Sequence, residues 1–329
     1  MSRITAEIAA DWRGAAKLPA SWRPMLAIVA AIFASAALTS LCYAFSDIHF
    51  LHAERLFLPF AGALAAIVAL SAYIKLRAPG AEHLVVLLFM AFAFFVTATN
   101  LLLLQYCLAT TRAIPMTDAI RAADHAMGFD WTDFAAKVSA IPCAADVIGF
   151  CYRQWIVEFV IAISLLGALR KIDDIFQLTF AYVAAGAAMV AVSGVVDVKS
   201  IDAVAAYATH AVHLPTGVNP HYLELLTALR SDGAHVVDLD HLGGLVSFPS
   251  CHAGAALLLA TATRNLKALW LPFLIFNELI LVGTITEGGH YLSDVIAGCA
   301  FAIAGLAVYD WAVSRPRGVL PGSPRLSIA

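Results

Sequence analysis

Apolar runs recur along this chain at residues 24–45, 56–74, 84–110, 155–169, 175–197, 249–263, 268–286 and 291–313. A helix needs about 17 to 25 such residues to cross a bilayer; most of these runs have them, while 155–169 and 249–263 are short. Their residues are mainly Ala, Leu, Val, Ile and Phe, without the polar alternation of a barrel strand, so the backbone must be satisfied in lipid by helices. The expectation is an all-α polytopic transmembrane bundle of roughly eight spans. A soluble domain is excluded by composition, since 61% of the 329 residues are hydrophobic and 13% charged. The first run is too long for a signal-peptide core and follows no small-residue cleavage pattern, so it is read as a retained helix.

Lysine and arginine placement sets the orientation of such a bundle. With eight spans, one side holds Arg3, Arg13, Lys17, Arg23, Lys75, Arg77, Arg170, Lys171, Arg264, Lys267, Arg315, Arg317 and Arg325. The other holds Arg55, Arg112, Arg121, Lys137, Arg153, Lys199 and Arg230, diluted over two long segments near 112–152 and 198–248. The positive-inside rule then puts both termini in the cytoplasm of an inner-membrane protein and both long segments outside.

Within the first outward segment, PMTDAIRAADHAMGFDWTDFAAKV places Ile120, Met127 and Phe134 on a helical period, and predicts an amphipathic interfacial helix with Trp131 at the headgroup level. The second, NPHYLELLTALRSDG, repeats Tyr222, Leu225, Leu226 and Leu229 at helical spacing, stops at Gly233 and delivers Arg230 near the surface. None of the six cysteines has metal-type spacing. Cys143 and Cys151 share the outward segment, where a short-loop disulfide and two free thiols are both open readings. Asp238, Asp240 and His241 read as a solvated loop, and His49, His52, His83 and His125 as interface residues.

Two stretches carry chemistry. In SFPSCHAG, Pro249 suits the first turn of a helix, with Ser250 and His252 beside its free N–H groups, which favour an anion. In TEGGHYLSDVIAG, His290 and Asp294 stand four residues apart, one turn from each other on one face. A carboxylate that fixes the imidazole tautomer leaves the other ring nitrogen free as a nucleophile. From His252 the chain crosses inward, turns at RNLK and returns at His290, so both histidines belong at the same outer face. Ionisable groups at membrane depth are costly and usually functional or paired. Glu287, one turn before His290, either faces solvent, which is the favoured reading, or meets a cationic or hydroxylated headgroup.

Together FPSCHAG and GGHYLSDVIAG resemble the motifs of the type 2 phosphatidic acid phosphatase (PAP2) superfamily, a PSxH-like segment followed by HxxxD. The closer resemblance is to the branch containing inositol phosphorylceramide synthases and sphingomyelin synthases. There the second motif reads His-Tyr and then Asp, and TDAIRAADHAMGFDW and LRSDG look like further blocks. The resemblance covers residues 112–305. It implies that His290 attacks phosphorus to form a phosphohistidine, Asp294 orients it, His252 protonates the leaving oxygen and Ser250 holds a phosphate oxygen. Two positions depart from the wider superfamily: Cys251 stands where glycine is usual, and Thr284 where an arginine is usual six residues before the nucleophile. Arg230 is the candidate replacement, since a planar guanidinium binds two phosphate oxygens at once.

The expected organisation is N-terminal membrane helices over 1–111, a catalytic region over 112–315 and a cytoplasmic tail over 316–329. The expected activity is metal-free phosphotransferase or phosphatase chemistry on a membrane lipid phosphate or phospho-headgroup, with water or a hydroxyl as acceptor. No cofactor and no nucleic-acid partner are expected. Two rivals use the same residues: a transporter or channel with His252, His290, Asp294 and Glu287 along an ion path, and a metal site built on the two histidines and Asp294.

Overall fold

The computed structural model describes residues 23–52, 54–77, 81–208, 220–231, 233, 235–239 and 242–313. The tail 316–329, Asp240, His241 and the terminal basic residues used for orientation lie outside the described residues.

The chain is an all-α polytopic bundle. In order its helices are α1 (Arg23–Phe45), α2 (Glu54–Arg77), α3 (Glu82–Ala109), α4 (Thr117–Ala126), α5 (Trp131–Ser139), α6 (Ala144–Arg153), α7 (Trp155–Ala168), α8 (Ile172–Ser193), α9 (Ile201–Ala208), α10 (Pro220–Leu229), α11 (Cys251–Thr263), α12 (Trp270–Thr286) and α13 (Leu292–Val313). Two short parallel ladders join the connecting segments: β1 (Ile48–Leu51) pairs with β4 (His235–Asp238), and β2 (Ile114–Pro115) with β3 (Val196–Asp197). Asp238 therefore ends a strand rather than lying in a loop.

All eight apolar runs are helical, yet the span count is lower than eight. Among the described residues, five helices are long and apolar enough to cross a membrane, or six if α5 and α6, bent by 110° at their junction, count as one. The reason is length. α7 has 14 residues and α11 has 13, about 20 Å of helix against a hydrocarbon core of about 30 Å. In α2 the apolar stretch Leu58–Ile74 is likewise short, closed by Glu54 and Arg55 at one end and Lys75 and Arg77 at the other.

Helix α8 is the hub, packing against α1, α3, α11 and α13. Its Ile175, Leu178 and Ala181 meet Phe94, Phe159, Leu258, Leu259 and Ala302 in the main core, where Phe94 stacks on Phe159 at 3.7 Å between centroids. The N-terminal helices α1 and α3 are thus part of the same bundle. Hydrocarbon gains little by leaving lipid for a helix interface, so association here relies on close packing and small residues. Gly298 of α13 shows this: a Cβ there would run into the carbonyl oxygen of Ser250 at the start of α11.

The predicted interfacial helix is two helices. The chain turns at Gly128, whose φ of 79° suits glycine, and restarts at Asp130, whose carboxylate accepts from Asp133 N at 2.9 Å. The expected faces are also exchanged: Met127 is exposed while Asp124 is buried. Trp131 is buried against the bundle, and its indole N–H donates to the Ile285 carbonyl at 3.1 Å. Cys143 and Cys151 are not bridged; Cys143 caps α6 and Cys151 lies two turns into it. Eight residues of helix separate them by about 12 Å, beyond the roughly 7 Å Cα limit of a disulfide.

Candidate active site

The first motif begins its helix two residues later than expected. Pro249 precedes the cap, Ser250 is the N-cap and Cys251 opens α11. The fully buried Ser250 hydroxyl accepts from Ala253 N at 3.3 Å, and Ser250 N donates to the Asp294 carbonyl at 3.0 Å. That second bond ties the start of α11 to the first turn of α13, which the bare face of Gly298 permits. His252 sits in the opening turn of α11, its ring packed on Tyr152 at 4.6 Å and edge-on to Trp155 at 5.4 Å.

The second motif folds as a turn ahead of α13. His290 N donates to the Thr284 carbonyl at 3.1 Å, and Gly289 takes a left-handed φ of 66° that delivers the histidine. His290 Nδ1 lies 3.4 Å from Asp294 Oδ2, with both side chains buried. The same oxygen accepts from Tyr291 N at 3.0 Å and Ser247 Oγ at 3.4 Å, while Oδ1 has no hydrogen-bond partner. His252 and His290 lie close enough for their charges to interact. Tyr152 is common to both: a side chain at Gly288 would meet Tyr152 Oη at 2.9 Å and His290 Cδ2 at 2.8 Å. The structure therefore brings together His252, His290, Asp294 and Ser250 at one end of the bundle.

The Arg230 guanidinium pairs with Asp197 at 2.9 Å and borders a small cavity with Phe248 and with Ser247, whose hydroxyl donates to Asp294. Among the described residues, no hydrogen bond or ion pair joins it to either histidine. Thr284, at the position where an arginine is usual, is buried with its hydroxyl donating to the Leu281 carbonyl at 2.6 Å.

Glu287 does not face solvent. It is 2% exposed, with Oε2 3.7 Å from Arg153 Nη1 and a buried Oε1 that has no hydrogen-bond partner. Burial pushes its pKa up from 4.5 to about 7, against the lowering pull of Arg153. Gly149 leaves room for the pair, since a Cβ there would meet Glu287 Oε1 at 2.9 Å and Arg153 Nη1 at 3.0 Å. Sequence reasoning assigned Arg153 no role. Its one local signal is the spacing Gly149–Tyr152–Arg153, which puts the three on adjoining faces of α6.

A scaffold of buried charge surrounds the His290 turn. Asp124 accepts from Leu292 N at 2.7 Å, Ser293 N at 2.9 Å and the Ser293 hydroxyl, capping α13. Tyr291 Oη donates to Asp202 Oδ2 at 2.9 Å, and Arg121 Nε lies 2.8 Å from the same oxygen. Such an arrangement can hold an anion between two imidazoles, align one by a carboxylate and supply a proton from the other. Among the described residues, no three His, Cys, Asp or Glu side chains are grouped to hold a metal ion.

Compared with known families, residues 118–308 match the one described as PAP2 superfamily. No curated protein and no solved structure matches the chain.

Proposed function

Because the chain belongs to the PAP2 superfamily and is a multi-pass membrane protein, we propose that it transfers a phosphoryl group or phospho-headgroup from a membrane lipid through a histidine intermediate. The observation that carries this reading is the buried His290–Asp294 contact at 3.4 Å, with His252 at the start of the neighbouring helix. His290 holds its Nδ1 proton toward Asp294 and attacks phosphorus through Nε2. As the N–P bond forms, the bond to the leaving oxygen breaks and His252 gives that oxygen a proton. Water or a lipid hydroxyl then attacks the phosphohistidine, His252 recovers a proton from it, and His290 leaves free.

Ser250 holds the start of α11 so that its free N–H groups face the anion. The cation missing at Thr284 is Arg153, which parks on Glu287 and is 54% exposed, so it can swing to a phosphate. Arg230 belongs instead to the scaffold through Asp197. Positioning and charge do most of the work in phosphoryl transfer, which suits a nucleophile held against a buried carboxylate. The His-Tyr form of the second motif favours transfer to a lipid hydroxyl, as in the inositol phosphorylceramide and sphingomyelin synthase branch. The site belongs on the outer face, by the basic residues of the RNLK turn.

The test is a panel of phospholipids, lipid phosphates and polyprenyl phosphates given to purified protein, scoring free phosphate against transferred headgroup. Acid-labile, base-stable label on His290 is expected after a rapid quench. His290→Ala should abolish both label and turnover with its melting temperature unchanged; turnover near wild type in that variant would remove the nucleophile.

A further inference from the structure

Two glycines ahead of His290 make room for one side chain. A Cβ at Gly283 of α12 would meet Tyr152 Cβ at 2.8 Å, and one at Gly288 would meet Tyr152 Oη at 2.9 Å and His290 Cδ2 at 2.8 Å. The bare face of Gly288 also clears the Thr284 carbonyl, so the place where the chain turns is the place that admits the phenol. Tyr152, on the last turn of α6, thus runs past the end of α12 from its stem at Gly283 to its hydroxyl at Gly288. Its ring meanwhile packs on His252 at 4.6 Å between centroids, with an interplanar angle of 31°. One side chain therefore serves both histidines, the ring at His252 and the hydroxyl on the Cδ2 edge of His290. In an imidazole Cδ2 is bonded to Nε2, the nitrogen left free when Nδ1 faces Asp294. Among the described residues the hydroxyl has no hydrogen-bond partner.

We infer that Tyr152 is a further catalytic residue, whose phenol O–H donates to an equatorial oxygen of the phosphoryl group as that group passes from the lipid to His290 Nε2; the inference rests on the function proposed above. A tyrosine kept only to prop His252 needs its ring and has no use for a hydroxyl led to the nucleophile. Tyrosine hydroxyls set among packed groups ordinarily have a partner, and the partner that chemistry calls for here is an anion beside His290. The two histidines act on the incoming and leaving atoms, which lie in line through phosphorus. The charge of the transferring group is spread over its three other oxygens, so donors aimed at those oxygens lower the barrier. Thr284 is no such donor, since its hydroxyl turns away to the Leu281 carbonyl at 2.6 Å. Tyr152 donates without adding a charge, and it keeps its proton throughout. The charge comes from Arg153, the next residue on α6, which pairs with Glu287.

Tyr152→Phe removes the hydroxyl and keeps both the ring on His252 and the stem at Gly283, whereas Tyr152→Leu removes the ring as well. Full-length wild type and both variants are compared in one detergent by kcat and KM on the best substrate of the lipid panel and by thermal melting. The same proteins are titrated calorimetrically with orthovanadate, whose five-coordinate form mimics phosphorus in transfer. Tyr152→Phe is expected to lower kcat by roughly 10- to 100-fold, the range of one hydrogen bond to a charged group. Orthovanadate affinity should fall by a similar factor, with KM and melting temperature nearly unchanged. Tyr152→Phe at wild-type kcat beside an impaired Tyr152→Leu would show that the ring alone matters, and would overturn the inference. A loss of kcat that leaves orthovanadate binding intact would overturn it too. The wild type separates the two claims. If it carries label on His290 and binds orthovanadate while Tyr152→Phe matches it throughout, the tyrosine is lost and the chemistry kept; a wild type with neither label nor orthovanadate binding loses both.

Discussion

Asp294→Asn isolates what a single charge contributes, because the pocket can accept the amide without rebuilding. Asp294 Oδ2 takes the hydrogen bonds from Tyr291 N and Ser247 Oγ and faces His290 Nδ1, whereas Oδ1 has no partner. An asparagine with its carbonyl at the Oδ2 position keeps those contacts and turns its NH2 into the unpartnered place. The change is then the loss of one negative charge 3.4 Å from the imidazole. When His290 attacks phosphorus its ring becomes positive, and at an effective dielectric of about 20 that charge interacts with Asp294 by about 332/(20 × 3.4), or roughly 5 kcal/mol. At 1.36 kcal/mol per decade, kcat should fall by roughly three to four orders of magnitude. KM should move little, since charge develops on the ring only in the chemical step. The assay is kcat and KM on the best substrate of the lipid panel, with thermal melting in the same detergent as the folding control. Asp294→Ala should also lower the melting temperature, since it strands Tyr291 N in a buried site. Asp294→Asn with kcat within tenfold of wild type and an unchanged melting temperature would refute the orienting and charge-stabilising role.

Glu287 has its pKa raised to about 7, so the folded protein binds that proton more tightly than the unfolded chain. The stability it contributes is full below about pH 4.5 and is lost as pH rises through about 7. Melting temperature measured from pH 4.5 to 8 should therefore fall more steeply in wild type than in Glu287→Gln, and equal slopes would show that Glu287 is not buried as described. The two arginines should separate by phenotype. Arg153→Ala should lower kcat/KM about 100-fold, the scale of a charge-assisted phosphate contact, with little change in melting below pH 7, where a protonated Glu287 needs no cation, and Arg153→Lys should recover part of it. Arg230→Ala should instead cost roughly 2–3 kcal/mol of stability by leaving Asp197 buried without its guanidinium, a loss softened by Lys199 at 3.7 Å. The reverse pattern in steady-state kinetics and melting would return the phosphate to Arg230.

What the residue order makes legible is what is local. His290 and Asp294 are one helical turn apart in any helix, and Ser250 followed by His252 marks a helix start whatever lies around it, so that part of the site can be read from the amino-acid order alone. The apolar runs likewise locate every long helix. Their number as membrane spans is overstated because hydropathy reads composition: α7 and α11 are helical for 14 and 13 residues, short of the roughly 20 that a span needs. The errors at Glu287, Asp124 and Trp131 share another cause. Residue type alone assigns each to solvent or to the interface, yet each is buried by a partner far away in sequence: Arg153 for Glu287, the amides of Leu292 and Ser293 for Asp124, the Ile285 carbonyl for Trp131. No periodicity within one segment reports such a partner. Arg153 escapes notice for the same reason, since its place beside Glu287 depends on how α6 packs on α12.

Those distant partners also explain why so much charge gathers at one end of an apolar bundle. A buried charge is tolerated only with a partner, and here the partners hold the His290 turn from different sides. Asp124 fixes the start of α13, Asp202 fixes Tyr291 beside the nucleophile, and Ser247 steadies Asp294. Asp124 lies on α4, Asp202 on α9 and Ser247 in the segment before α11, so the connecting segments act as clamps on the His290 turn. The spans alone leave that turn without its cap. A histidine that must form and break a bond to phosphorus needs its ring held still while the phosphate's charge shifts. Fixed acceptors in the connecting segments provide this more rigidly than a close-packed apolar interface, in which a side chain is positioned by shape alone. The cost of burying Asp124 is met by hydrogen bonds that a mobile loop would not keep, and this is why a helix as exposed as α4 is tied to the bundle at that one residue.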